Sequence, residues 1–206
     1  MMSSIARCRR SIRLPGYDYA GVGWYFVTIC TNGRACLFGD IVGGTMVLNE
    51  CGRIVSQELI RTPTIRREIR LDAWVIMPNH VHIIVVIDDV GSHDGTARPV
   101  GATGHDAVMK TNATGDNTIV GATGRSPPPA PRGPSPRSLG SFVAGFKSAV
   151  TLGINRYRDT PGQPVWQRNY YEHIIRDGRS YDMIKRYVLE NPMRWEHDEQ
   201  NPDRRA

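Results

Sequence analysis

The stretch "IRLDAWVIMPNHVHIIVVI", residues 69–87, decides the fold of this chain. It holds two runs of β-branched and aromatic residues separated by Pro78-Asn79, a tight break between two strands. A hairpin is the natural pairing of two such runs. Side chains on a strand alternate between faces. In the second run Val81, Ile83, Val85 and Ile87 therefore face one way. His80, His82, Ile84 and Val86 face the other, which puts two imidazoles side by side at the start of that face.

Working outward, "GWYFVTICTN" (23–32) reads as a strand, and "ACLFGDIVGGTMVLN" as a short hairpin turning on its Gly-Gly. "LNECGRIVSQELIRTP" reads as an amphipathic helix. Asn49 is its N-cap, Ile54, Val55, Leu59 and Ile60 form its apolar stripe, and Pro63 lies beyond its end. Residues 138–158 follow a helical period, with Ser138 as cap and Leu139, Phe142, Val143, Phe146, Val150 and Ile154 close to one face. Residues 164–176 read as a strand, and 180–192 as a helix capped by Ser180 and stopped by Pro192. This order predicts an α+β domain with an antiparallel sheet and helices on one face. Residues 88–137 interrupt it. They are rich in Gly, Ala, Thr, Pro and Asp, repeat "VGATG" and end in "SPPPAPRGPSPRS", and are expected to be a mobile low-complexity insertion in a single domain spanning 1–206.

The net charge of +6 favours a polyanionic partner, nucleic acid first. Cys8, Cys30, Cys36 and Cys51 form no CxxC pair, which argues against a zinc site and for a reduced, cytoplasmic protein. The opening "MMSSIARCRRSIRLPG" lacks the apolar run of a signal peptide, and no run reaches transmembrane length. Arg7, Arg9, Arg10 and Arg13 form an arm suited to phosphate contact, or a solvated tail. The C-terminal "WEHDEQNPDRRA" reads as a flexible tail.

Tyr187 and Asn191 are four apart on the last helix and share a face. His80 and His82 offer two neutral nitrogen ligands. Asn191 offers a carbonyl oxygen suited to Mg²⁺ or Mn²⁺, or it is only a helix stop before Pro192. Tyr187 would then be a nucleophile one turn from a metal that polarises a phosphate, or else a core residue beside Ile184 and Val188. Tyr170 and Tyr171 are rivals on opposite strand faces; one packs and one can stack on a base. Arg168, His173 and Arg176 are candidate DNA contacts, with a core histidine as the alternative for His173.

The segments "SIRLPGYDYAGVGWYFVTICTNGRACLFG", "AWVIMPNHVHIIV", "GFKSAV", "VWQRNYYEHIIR" and "YVLENPMRW" resemble the single-tyrosine transposases of insertion sequences and their REP-associated relatives, within the HUH endonuclease superfamily. The resemblance implies a ferredoxin-like fold that cuts and rejoins single-stranded DNA at REP-like hairpins. It implies Tyr187 as nucleophile through a 5′-phosphotyrosine, His80 and His82 as the metal pair, and Asn191 as third ligand in the REP-associated branch. Either a monomer or a homodimer is compatible with it. Two other readings compete. One is a non-catalytic hairpin-binding protein on the same fold. The other is a histidine-triad nucleotide hydrolase, whose third histidine is Ile84 here.

Overall fold

The computed structural model describes residues 21–88 and 134–204. Arg7, Arg9, Arg10 and Arg13 lie outside the described residues, as does all but the ends of the 88–137 insertion. The elements are β1 (Gly23–Cys30), β2 (Gly39–Val42), β3 (Thr45–Leu48), α1 (Glu50–Ile65), β4 (Ile69–Met77), β5 (His80–Ile87), α2 (Leu139–Arg158), β6 (Tyr171–Ile175) and α3 (Gly178–Glu190). A 3₁₀ segment, Asn191–His197, continues from α3.

Four strands form one antiparallel sheet in the order β4-β5-β1-β6, and β2 and β3 form a separate hairpin. Strands β1 and β4 are not neighbours, nor are β5 and β6, so α1 and α2 serve as crossover helices. This βαββαβ order is the ferredoxin-like arrangement the resemblance implied. The β2–β3 turn is Gly43-Gly44, both at positive φ (57° and 75°), the geometry a two-residue hairpin turn demands.

Strand β5 is buried along its whole length and has a different neighbour on each face. On one face Val81, Ile83 and Val85 join Val27 and Ile29 of β1, Val55 and Leu59 of α1, and Phe142, Val150 and Ile154 of α2. On the other, Ile84 meets Phe26, Ala73, Ile175 and the α3 residues Tyr181 and Val188. The α+β antiparallel architecture is as the sequence predicts. The single helical face holds for α1 and α2, while α3 covers the opposite face, where the histidine pair points.

Several local expectations change. Pro63 lies inside α1. It removes one backbone bond, but close to the helix end, where Arg66 N still donates to Thr62 O at 2.9 Å. Ile60 is exposed, because one residue past Leu59 turns about 100° away from the core. The strand expected at 164–176 shrinks to Tyr171–Ile175. Before it, Trp166 makes only an isolated bridge to Thr31, and the carbonyls of Gln167 and Arg168 accept from Lys147 Nζ of α2. Helix α3 is capped by Asp177, whose Oδ1 accepts from Ser180 N at 2.8 Å, and not by Ser180. Helix α3 ends at Glu190, as expected of a stop at Pro192, and the chain continues in 3₁₀ geometry. The C-terminal segment is not a free tail as far as it is described. Asp198 is buried, and Gln200 O accepts from Asn79 Nδ2 at 2.6 Å.

Among the described residues, Cys30, Cys36 and Cys51 form no disulfide, and no helix is long and apolar enough to cross a membrane.

Candidate active site

Register alone places the two histidines. On β5, His82 stands opposite Thr28 of β1, which in turn stands opposite Tyr171 of β6. His80 stands opposite Cys30, at the end of the strand nearest the Pro78-Asn79 turn. Both rings are buried, and their Nε2 atoms face each other at 3.0 Å.

The outer nitrogens explain that orientation. Asn79 Nδ2 donates to Arg34 O (3.1 Å) and to Gln200 O, which leaves its Oδ1 as an acceptor for His80 Nδ1 at 2.9 Å. His80 must then carry its proton on Nδ1 and present a lone pair at Nε2. His82 Nδ1 lies 2.8 Å from Thr28 Oγ1, a hydroxyl that can accept or donate. Two imidazole lone pairs at this separation repel unless a proton or a cation joins them. Cis donors on an octahedral Mg²⁺ are about 3 Å apart, so the spacing suits a shared cation.

The rest of the donor set fits as well. Asn191 is buried, its Nδ2 donates to Asp198 Oδ2 at 3.2 Å, and its Oδ1 has no hydrogen-bond partner. An orphaned buried carbonyl is costly, and a bound cation would satisfy it. Asp198 Oδ2 is 4.0 Å from His80 Nε2. The donor atoms of His80, His82 and Asp198 all lie within 4.8 Å of one another, a group able to hold a metal ion. Nitrogen, amide and carboxylate donors without thiolate suit a hard or borderline divalent ion.

Protonation states agree with that use. Burial pushes His80 down to about 4, against the opposing pull of Asp198 and with a further push from Arg34. Burial, then the neighbouring His80, holds His82 well below the usual histidine range. Both rings are neutral at pH 7.

Tyr187 reaches the pair from α3. Its hydroxyl is 3.3 Å from His82 Nε2, and its ring meets Phe26 edge-on at 6.1 Å. The residue is 40% exposed, so it is neither the core residue that its neighbours Ile184 and Val188 suggested nor out of a substrate's reach. Burial, then Asp198, pushes its phenol up to about 12. Without a cation nearby, Tyr187 is a poor nucleophile at neutral pH.

The structure thus brings His80, His82, Tyr187 and Asn191 together. Tyr171 and His173 project from the same sheet face, opposite Thr28 and Phe26, and both are exposed, so His173 is no core histidine. Tyr170 turns the other way and packs on the α1–α2 core. Arg168 and Arg176 are exposed on either side of β6, outside the cluster. Sequence reading missed Thr28, Asn79 and Asp198. Asn79 had a signal, its place in the turn just before His80. Thr28 depends on strand register and Asp198 on a distant return of the chain, neither visible in local pattern.

No protein-family model matches the chain. A Haemophilus influenzae protein of uncharacterised function is 37% identical over 192 residues, covering 93% of this chain and 92% of its own length. Among solved structures, a REP-associated tyrosine transposase bound to a REP hairpin superposes with a TM-score of 0.51 and 17% identity, over 90% of this chain and 74% of that one. At that identity the likeness is one of fold. The chain belongs to one family with the Haemophilus influenzae protein, and it has the fold of a REP-associated tyrosine transposase.

Proposed function

We propose that this protein is a metal-dependent single-stranded DNA endonuclease and strand transferase that acts at REP-like hairpins through Tyr187. The observation that carries the reading is the buried group of His80, His82 and Asp198 donor atoms within 4.8 Å of one another, with Asn191 bonded to Asp198 and the Tyr187 hydroxyl beside His82. The Nε2 atoms of His80 and His82 are 3.0 Å apart, Asn191 Oδ1 is buried without a partner, and the Tyr187 hydroxyl stands 3.3 Å from one of the rings. The fold shared with a hairpin-bound transposase supports it independently.

In this reading His80, His82 and Asn191 hold Mg²⁺ or Mn²⁺, with Asp198 as a nearby carboxylate. When bound, such an ion supplies Lewis-acid polarisation of a phosphoryl oxygen and charge that opposes the raised phenol pKa. Asn79 and Thr28 fix the two rings from behind. Tyr187 loses its proton to solvent, its oxygen attacks phosphorus, and the P–O3′ bond breaks. The products are a 5′-phosphotyrosine and a free 3′-OH, which takes a proton from solvent. Attack by a 3′-OH reverses the step and needs no nucleotide cofactor. Tyr171, His173, Arg168 and Arg176 contact the strand along β6, and the arginine arm Arg7, Arg9, Arg10 and Arg13 contacts phosphates.

The test is a covalent-adduct gel. The protein is incubated with labelled single-stranded hairpin oligonucleotides from its host's repeats and Mn²⁺, then denatured. The expected result is an EDTA-sensitive adduct that disappears in Tyr187→Phe and survives in Tyr171→Phe. Tight hairpin binding with no adduct would instead mean a binding protein on a catalytic fold.

A further inference from the structure

A groove of about 740 Å³ lies away from the histidine pair, between the second half of α2 and residues 159–168, which lead into β6. Leu152, Pro164, Val165 and Trp166 give it an apolar wall. Leu152 is 73% exposed there. Lys147, Arg156 and Arg168 line the groove against one acid, Asp159, so its field is positive. Lys147 is engaged with the carbonyls of Gln167 and Arg168, while Arg156 and Arg168 are exposed. Trp166 Nε1–H is buried in this wall without an acceptor.

The groove lies on the α2 side of the sheet, close to the strand end that carries His80. Trp166 bridges Thr31, Gln167 N donates to Cys30 O at 2.9 Å, and Cys30 pairs with His80. Its wall therefore runs one strand away from His80. Arg168 precedes Tyr171 by three residues, about 10 Å of extended chain. Strand β6 is the sheet's edge, so no described strand bars the way from Tyr171 round to the groove.

We propose that this groove is a second binding site for single-stranded nucleic acid, seating an unpaired nucleotide of the same strand that enters the active site. The base lies on the Leu152–Pro164 wall, and its phosphate meets Arg156. An apolar wall with cations suits a molecule that is flat and apolar on one side and anionic on the other. A neutral peptide would use the wall and leave the cations idle. The proposal rests on the reading of the protein as a single-stranded DNA enzyme.

The test compares a short oligothymidylate (about six nucleotides) with a long one (about eighteen), both fluorescein-labelled, by anisotropy across a salt series. The full-length protein is used with the surface variants Leu152→Glu and Arg156→Ala, which are remote from the histidines. The groove should strengthen long-strand binding only. Leu152→Glu should weaken the long strand about tenfold and leave the short one unchanged. Arg156→Ala should lower the long strand's salt slope by about 0.7. Wild-type affinity for both lengths in both variants would overturn the groove and leave the enzyme reading intact. So would an equal loss on both lengths. Failure of the wild-type protein to bind either strand would overturn the groove as well, while the enzyme reading stands or falls on the hairpin adduct gel.

Discussion

The two faces of the β4-β5-β1-β6 sheet are built from the same strands and do opposite things. Toward α1 and α2 the strands present valine and isoleucine to Phe142, Val143, Val150 and Ile154, which are at most 1% exposed. Toward α3 the same strands present His80, His82 and Thr28, and α3 itself buries only Tyr181 and Val188. Polar bonds help hold α3 in place. Tyr181 Oη donates to Asp72 Oδ2 at 2.9 Å, and Lys185 Nζ bonds to both Tyr181 (2.7 Å) and Asp72 (3.1 Å). One face makes stability by burying area, and the other spends some of it to keep buried polar atoms aimed at one point. Stability and chemistry should therefore separate cleanly between the faces.

The largest effect should come from Tyr187→Phe, which should abolish adduct formation while changing unfolding free energy by no more than about 0.5 kcal/mol. Chemical denaturation and the adduct gel on one preparation measure both. Phe142→Ala is the mirror image. It should cost about 3–5 kcal/mol of stability, and molecules that remain folded should keep their cleavage rate. A large loss of stability in Tyr187→Phe would break the division.

Asn79→Ala removes the acceptor that fixes the His80 tautomer. Mn²⁺ affinity should fall by about 10- to 100-fold, read by calorimetry.

Acid should weaken the polar face. The folded-state pKa values of His80 and His82 lie below the unfolded value near 6.5, so the unfolded chain binds more protons. Their contribution is fully present above pH 6.5 and is lost as pH falls, that of His80 through about 4. Each histidine contributes up to about 1.4 kcal/mol per pH unit in that window. Denaturation midpoints between pH 7 and pH 4 check this, and a His80→Ala, His82→Ala double variant should flatten the slope.

The smallest effect is expected of Tyr181→Phe, which loses the bond to Asp72. It should cost about 1 kcal/mol. It should also slow adduct formation, because the same helix carries Tyr187.

What the sequence made legible followed local period. The alternation of His80 and His82 against Val81 and Ile83, the helical spacing from Leu139 to Ile154, and the Gly43-Gly44 turn each depend on residues a few positions apart. The i,i+4 relation of Tyr187 and Asn191 put two site residues on one helix face in the same way. What stayed hidden depended on distance. That Thr28 backs His82 follows from the β1–β5 register. That Asp198 reaches His80 follows from the chain doubling back past the Asn79 turn. A mixed-charge stretch such as "WEHDEQNPD" gives no local sign that one of its carboxylates will be buried. Pro63 misled because packing carries α1 through a residue that ordinarily ends a helix.

The most direct measurement of the central claim, that the polar face is a cation site, is a calorimetric titration of the metal-free protein with Mn²⁺. The expected result is a single site that is lost in His82→Ala and His80→Ala and weakened in Asn191→Ala, with all three variants folded. Mn²⁺ binding unchanged by the two histidine substitutions would contradict it.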